Sequence, residues 1–216
     1  MVVPEVSPKS ELRAHIRSVR RALAPGVRAH ADRALATAAA DAVRRAGART
    51  VAAYVPLATE PGGPDLVPAL AAAAERLLLP VLLDDNDLDW AVYDGTLAPG
   101  RFGLREPAGP RLGPGAVAEA GLVLLPGLAV APDGTRLGQG GGSYDRVLPR
   151  VEAVTIVPLY PGEWLARLPA EPHDQRVCGA LRAGDTGYDT AHVHWTKGCP
   201  IPHHWHSEYQ SANDGG

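Results

Sequence analysis

Residues 122–125, Leu-Val-Leu-Leu, form an unbroken apolar run fenced by Gly121 on one side and Pro126-Gly127 on the other. A strand with one wet face alternates apolar and polar residues, so a short continuous run reads as a strand covered on both faces. Residues 50–55, ending at Pro56, and 77–82 read as buried strands too, and 153–158 and 176–182 as further strands. Helical patterns lie between them. Leu12, Ile16, Val19 and Leu23 recur at helical spacing behind Ser7-Pro8, a capping serine followed by a proline suited to the first turn, and Pro25-Gly26 ends that run. A second helix is expected over 27–46, with Ala31, Leu35, Ala38, Ala42 and Ala46 on one face and Gly47 as its stop. Residues 64–76, 143–150 and 162–168 read as short helices, 84–87 as a turn and 88–93 as an exposed strand. Apolar strands alternating with helices predict an α/β fold, a mostly parallel sheet flanked by helices.

The chain has 216 residues, enough to bury a sizeable core, and 45% hydrophobic content with a net charge of −3 excludes wholesale disorder. No apolar run approaches the roughly 18 residues that a membrane span needs, and the N-terminus lacks a signal-peptide pattern, so a soluble cytoplasmic protein with no membrane partner is expected. Cys178 and Cys199 suggest neither a disulfide framework nor a cysteine metal site. Charge is uneven. Residues 1–49 carry ten basic and four acidic side chains, whereas 50–184 carry ten and sixteen. A basic segment suits a solvated face, a nucleic acid or a small polyanion such as a nucleotide. With one Phe and six Tyr, and scattered basic residues beyond 49, the aromatic platforms and basic stripes of a nucleic-acid binder are missing. After Gly184 the pattern dissolves. The expected organisation is therefore one α/β domain over 1–184, opening on a basic helical hairpin over 7–46, and a poorly ordered tail over 185–216. The tail's His192, His194, His203, His204 and His206 offer imidazoles suited to a transition metal, or simply an appended extension.

Chemistry concentrates in Arg136-Leu137-Gly138-Gln139-Gly140-Gly141-Gly142-Ser143-Tyr144-Asp145-Arg146. Four glycines in five residues can turn backbone N–H groups toward one point just ahead of a helix, which makes a cradle for phosphate. Arg136 and Arg146 flank it and can add bidentate contacts. Asp145 would repel phosphate unless a cation sat between them, which points to Mg²⁺. The lysine of a P-loop is absent. A dinucleotide fingerprint would need the last glycine, which is Ser143 here, and a strand immediately before the cluster.

The longer run from Leu125-Pro126-Gly127-Leu128-Ala129 to Asp145-Arg146-Val147-Leu148 resembles the hallmark of the 5-formyltetrahydrofolate cyclo-ligase family, and four outlying pieces agree in order. They are Lys9-Ser10-Glu11-Leu12-Arg13, Tyr54-Val55-Pro56 with Glu60, Phe102-Gly103-Leu104-Arg105-Glu106-Pro107, and Leu168-Pro169-Ala170-Glu171-Pro172-His173-Asp174. The resemblance covers about 8–184. It implies a NagB/RpiA/CoA transferase-like fold and an enzyme that uses Mg-ATP to turn 5-formyltetrahydrofolate into 5,10-methenyltetrahydrofolate. It further implies ATP binding by Lys9, Arg13, Arg136, Leu137, Gly138, Gln139, Gly140, Gly141, Gly142, Ser143 and Tyr144. Val55 and Glu60 would hold the folate, Asp145 and Asp174 the Mg²⁺, and Arg136, Tyr144 and Asp145 would serve catalysis, with His173 behind the metal. Departures from the family pattern are Ser143 for a tyrosine, Gln139 for a tyrosine or arginine, Val130-Ala131 for Phe-Asp, Glu163 for a glutamine, and an altered final strand over 177–183. They leave open a catalytically altered relative that binds nucleotide and folate without turnover.

Overall fold

Neighbouring side chains of the central strands point to opposite faces of the sheet, and both faces are apolar. In this computed structural model, which describes residues 8–172, 174–184 and 190–199, the sheet is built from β1 (Thr50–Ala52), β2 (Arg76–Leu82), β3 (Leu88–Val92), β6 (Leu122–Leu124), β9 (Val154–Leu159), β10 (Gly179–Ala183) and β11 (Ala191–Trp195). Two further ribbons pair β4 (Leu97–Pro99) with β5 (Arg105–Pro107), and β7 (Ala129–Val130) with β8 (Arg136–Leu137). The main order is β11-β10-β9-β6-β1-β2-β3. The five inner strands run parallel, while β3 and β11 close the two edges antiparallel.

Val51, Leu77, Leu79, Leu122 and Leu124 meet helices α2 (Pro25–Ala46) and α3 (Leu66–Ala73) on one side. Ala52, Leu78, Val123, Leu125 and Val157 meet Ala116 and Val117 of a 3₁₀ segment, and Val147 of α4 (Ser143–Val147), on the other. That double cover is why the strands carry continuous apolar runs. From β1 the chain proceeds outward to β2 and then crosses back to β6 on the opposite side. This reversal opens a crevice beyond the carboxyl ends of β1 and β6, the place where open α/β sheets bind ligands.

Helix α1 (Lys9–Ala22) lies elsewhere. Ile16 and the partly buried Leu12 pack on Leu128, Ala129, Ala131, Leu137 and Leu168 around the β7–β8 ribbon, whereas α2 covers the sheet. The expected helical hairpin is therefore two helices on different supports. Pro25 begins α2 rather than ending α1, because its fixed φ and missing N–H suit a first helical turn. Pro8 flanks α1, its carbonyl accepting from the N–H groups of Glu11 and Leu12; Ser7 lies outside the described residues. Gly47 stops α2 in the left-handed region at φ 58°, as the sequence indicates.

Other expectations need correction. Residues 88–93 are not exposed: Leu88 and Trp90 are buried under Ala116 and Val117. The helix expected over 143–150 is the five-residue α4 followed by a 3₁₀ turn. No helix forms over 162–168. There Glu163 Oε2 accepts the Tyr160 N–H, and Val130 exchanges backbone hydrogen bonds with Glu163 and Leu165, which draws the segment out beside β7. The tail boundary at 185 also moves, since β11 pairs with β10 from Gly179↔Trp195 to Ala183↔Ala191. Cys178 and Cys199 are joined as a disulfide, clasping the ends of that pair. His192 and His194 lie on β11, His194 against Trp164; His203, His204 and His206 lie outside the described residues. Among the described residues no cluster of three metal-ligating side chains occurs, and no helix is long and apolar enough to cross a membrane.

One buried ion pair ties α1 to this framework. Arg20 donates to both carboxylate oxygens of Glu163 at 2.7 and 2.8 Å and to the Gly127 carbonyl at 2.7 Å, and the guanidinium sits over the Tyr160 ring. Burial pushes the Glu163 carboxyl above its ordinary range, against the pull of Arg20. Removing one partner leaves the other charge buried and alone. Arg20→Ala should therefore lower the unfolding free energy by about 3–5 kcal/mol, read from urea denaturation.

Candidate active site

The crevice at the β1–β6 reversal is a cavity of about 550 Å³. Its polar side is built by α1 and the glycine loop. Lys9 and Arg13 stand one helical turn apart on α1 and both face the cavity. Arg13 Nε donates to the Gly138 carbonyl at 2.9 Å, so the helix grips the loop by its backbone. Lys9 donates to both oxygens of Asp174 at 3.0 and 2.7 Å and lies 3.5 Å from Glu171.

Strand β8 delivers Arg136 to the cavity floor, where it is 8% exposed. Its guanidinium donates to the Pro126 carbonyl at 3.0 Å and to Asp145 Oδ1 at 2.7 Å. Burial draws the Arg136 pKa down from its usual value, and Asp145 opposes the shift. Between Arg136 and α4, the loop turns through Gly140 at φ 104° and Gly142 at φ 74°, regions that favour glycine. Among the described residues, no protein acceptor takes the backbone N–H of Gly138, Gln139, Gly140, Gly141 or Gly142. Five free donors beside three cations are what an oligophosphate needs.

Tyr144 packs between the two cores; burial, reinforced by the Glu60 carboxylate, pushes its phenol far above the ordinary range, so it is a neutral hydrogen-bond donor. Glu60, 6% exposed, accepts the Leu57 N–H at 3.0 Å on one oxygen and the Gln139 side-chain amide at 3.0 Å on the other. Val55 lines the wall between them.

The structure thus brings Lys9, Arg13, Val55, Glu60, Arg136, Gly138, Gln139, Gly140, Gly141, Gly142, Ser143, Tyr144, Asp145 and Asp174 onto one cavity. Leu137 is the exception: its side chain is 1% exposed and belongs to the core under α1. His173 lies outside the described residues. The sequence reading missed the apolar half of the cavity, Leu57, Pro80, Leu82, Leu88 and Leu104, and the polar Arg105 and Glu106 at its edge. Leu104, Arg105 and Glu106 sit inside a motif already singled out; Pro80 and Leu82 look like any strand interior. Arg17 was missed too, although Lys9, Arg13 and Arg17 recur every fourth residue along α1.

Asp145 and Asp174 offer a divalent cation two carboxylates and no nitrogen or sulfur, a donor set that suits Mg²⁺ bound jointly with phosphate oxygens. Each is held now by a cation, Arg136 or Lys9, and Asp145 Oδ2 has no partner among the described residues. The residues fit the ion.

Fold and site together define an α/β protein whose cavity sets a cation-flanked glycine loop against a carboxylate-marked apolar slot. The family model for 5-formyltetrahydrofolate cyclo-ligases matches residues 5–182, so the chain belongs to the 5-formyltetrahydrofolate cyclo-ligase family, enzymes of the ligase class. The cyclo-ligase of Mycolicibacterium smegmatis is 43% identical over 141 residues, spanning 62% of this chain and 73% of that one. Among solved structures, the 5,10-methenyltetrahydrofolate synthetase of Aquifex aeolicus superposes with a TM-score of 0.69 at 27% identity, over 92% of this chain and 98% of its own. A synthetase from Mycoplasma pneumoniae, at 20% identity over 79% of this chain and 96% of its own, shares the fold with a TM-score of 0.63. The membership and fold drawn from the sequence motifs are borne out.

Gly140→Ala asks a side-chain-bearing residue to hold φ 104°. It should cost about 1–2 kcal/mol of stability, seen as a lower midpoint in urea.

Proposed function

We propose that the chain converts 5-formyltetrahydrofolate and ATP into 5,10-methenyltetrahydrofolate, ADP and phosphate, in the cytoplasm and without a nucleic-acid or membrane partner. The observation that carries this reading is a single cavity holding free loop N–H groups and cations at one end and the Glu60 carboxylate with an apolar wall at the other.

The reaction needs the formyl oxygen, a poor leaving group, to become a good one. That oxygen attacks the γ-phosphorus of ATP and the bond to ADP breaks. N10 then adds to the activated carbon, the carbon–oxygen bond breaks to release phosphate, and N10 gives up its proton. The protein's task is positioning and charge neutralisation. Lys9 and Arg13 reach the phosphates from α1, and the glycine loop donates N–H groups to them. Arg136, a guanidinium that stays protonated, faces the transferring phosphoryl group from below. Tyr144, whose burial disfavours the phenolate, donates a hydrogen bond. Ser143 gives the loop a small hydroxyl. Glu60 accepts from the donor-rich edge of the pterin, while Leu57, Leu82 and Leu104 exclude water around the ring and its aromatic extension. Asp145 and Asp174 would hold Mg²⁺, which supplies positive charge to phosphate oxygens. In that state Lys9 and Arg136 exchange their carboxylate partners for phosphate.

The test is absorbance of the methenyl product from purified protein with Mg-ATP and 5-formyltetrahydrofolate; no product at high enzyme concentration refutes the reading. Asp145→Asn should lower kcat by about 10²–10³ with little change in the folate KM. Glu60→Gln should raise the folate KM by about tenfold and leave ATP binding intact. The reverse pattern would exchange the two subsites.

A further inference from the structure

Within the 138–142 loop only Gln139 has a side chain, and that side chain leaves the phosphate cradle for the other end of the cavity. Its amide nitrogen donates to Glu60 Oε1 at 3.0 Å. Its amide oxygen accepts from Arg17 Nε at 3.1 Å, and its backbone carbonyl accepts from Arg17 Nη2 at 2.6 Å. The orientation of the amide follows from its partners, because a guanidinium can only donate and a carboxylate only accept. A chain of bonds therefore runs from α1 through the glycine loop to the carboxylate that faces the apolar slot.

The other oxygen of Glu60 takes the Leu57 N–H at 3.0 Å. A carboxylate has about four acceptor directions, so these two bonds fix the plane of the group and leave each oxygen free to accept once more. Two parallel acceptors in a fixed plane match a ring edge with adjacent N–H donors. The loop itself does not need the Gln139 side chain to stay in place: Arg13 holds the Gly138 carbonyl and Arg17 holds the Gln139 carbonyl.

We propose that Gln139 is a positioning residue that couples the two ends of the site, so that nucleotide settling on the glycine loop steadies the Gln139 amide, holds Glu60 in its plane and tightens binding of the reduced folate. The inference rests on the proposed function above. It goes beyond it in assigning cooperative binding to one amide side chain. By linkage, the folate tightens nucleotide binding by the same factor.

The experiment measures 5-formyltetrahydrofolate binding calorimetrically, with and without a non-hydrolysable ATP analogue and Mg²⁺, for the unmodified protein, Gln139→Ala and Gln139→Glu. The analogue should tighten folate binding by about 5–10-fold in the unmodified protein. In Gln139→Ala that factor should fall to near one, with affinity for the analogue alone within about twofold of the unmodified protein and folate KM raised more than kcat is lowered. Gln139→Glu, which sets a second carboxylate against Glu60, should weaken folate further. Equal cooperativity in Gln139→Ala and the unmodified protein would overturn the proposal. So would an equal loss of affinity for the analogue alone, which would make the side chain a mere prop for the loop. If the unmodified protein neither binds nor turns over the folate, the functional reading falls and takes this inference with it; if it does both and Gln139→Ala matches it, only the inference falls.

Discussion

The candidate site hangs on the pair Arg20–Glu163. Arg20 is in the last turn of α1, and its guanidinium reaches the carbonyl of Gly127 after β6 as well as the carboxylate that caps the end of β9. One side chain thus pins a surface helix to the carboxyl ends of two adjacent parallel strands. Every residue N-terminal to it on the same face inherits a fixed place: Arg17 one turn back, Arg13 and then Lys9. Long basic side chains on a loosely held helix would lose much of their reach to rotamer and rigid-body freedom. A buried charge pair is a costly way to fasten a helix, because both ions give up water. What it provides is direction, since a bidentate guanidinium–carboxylate contact fixes orientation in a way that apolar packing by Ile16 and Leu12 alone does not.

Within the site, two cations each face a carboxylate, Lys9 with Asp174 and Arg136 with Asp145. A cavity with several unbalanced cations would be expensive to keep dry, and self-paired groups spare the fold that cost.

Much of this was legible in the residues. Strands β1, β2, β6, β9 and β10 stand where apolar runs between turn residues placed them, because burial on both faces leaves a local signature. The glycine loop was legible because only glycine tolerates the φ values of Gly140 and Gly142. What escaped notice depends on distant partners. Glu163 sits in a stretch with helical composition, and its segment's partners Arg20 and Val130, both distant in sequence, explain why the chain stays extended there. Leu137 was grouped with its loop neighbours, yet strand alternation turns it inward where Arg136 turns to the cavity. Pro80 and Leu82 carry no mark that distinguishes a cavity wall from a core. Strand β11 is short and only half buried, so its pairing with β10 outweighs a weak local pattern.

That last strand changes where the chain can safely be cut. Without it, β10 would present a bare row of amide and carbonyl groups bordered by Leu181 and Ala183, a template for another chain to zip onto. β11 gives those groups their partners and offers the outside a half-buried ribbon interrupted by His192 and His194, a poorer platform for self-association. Shortening the protein at Gly184, natural as that boundary looks in the sequence, would trade a few histidines for an adhesive flank.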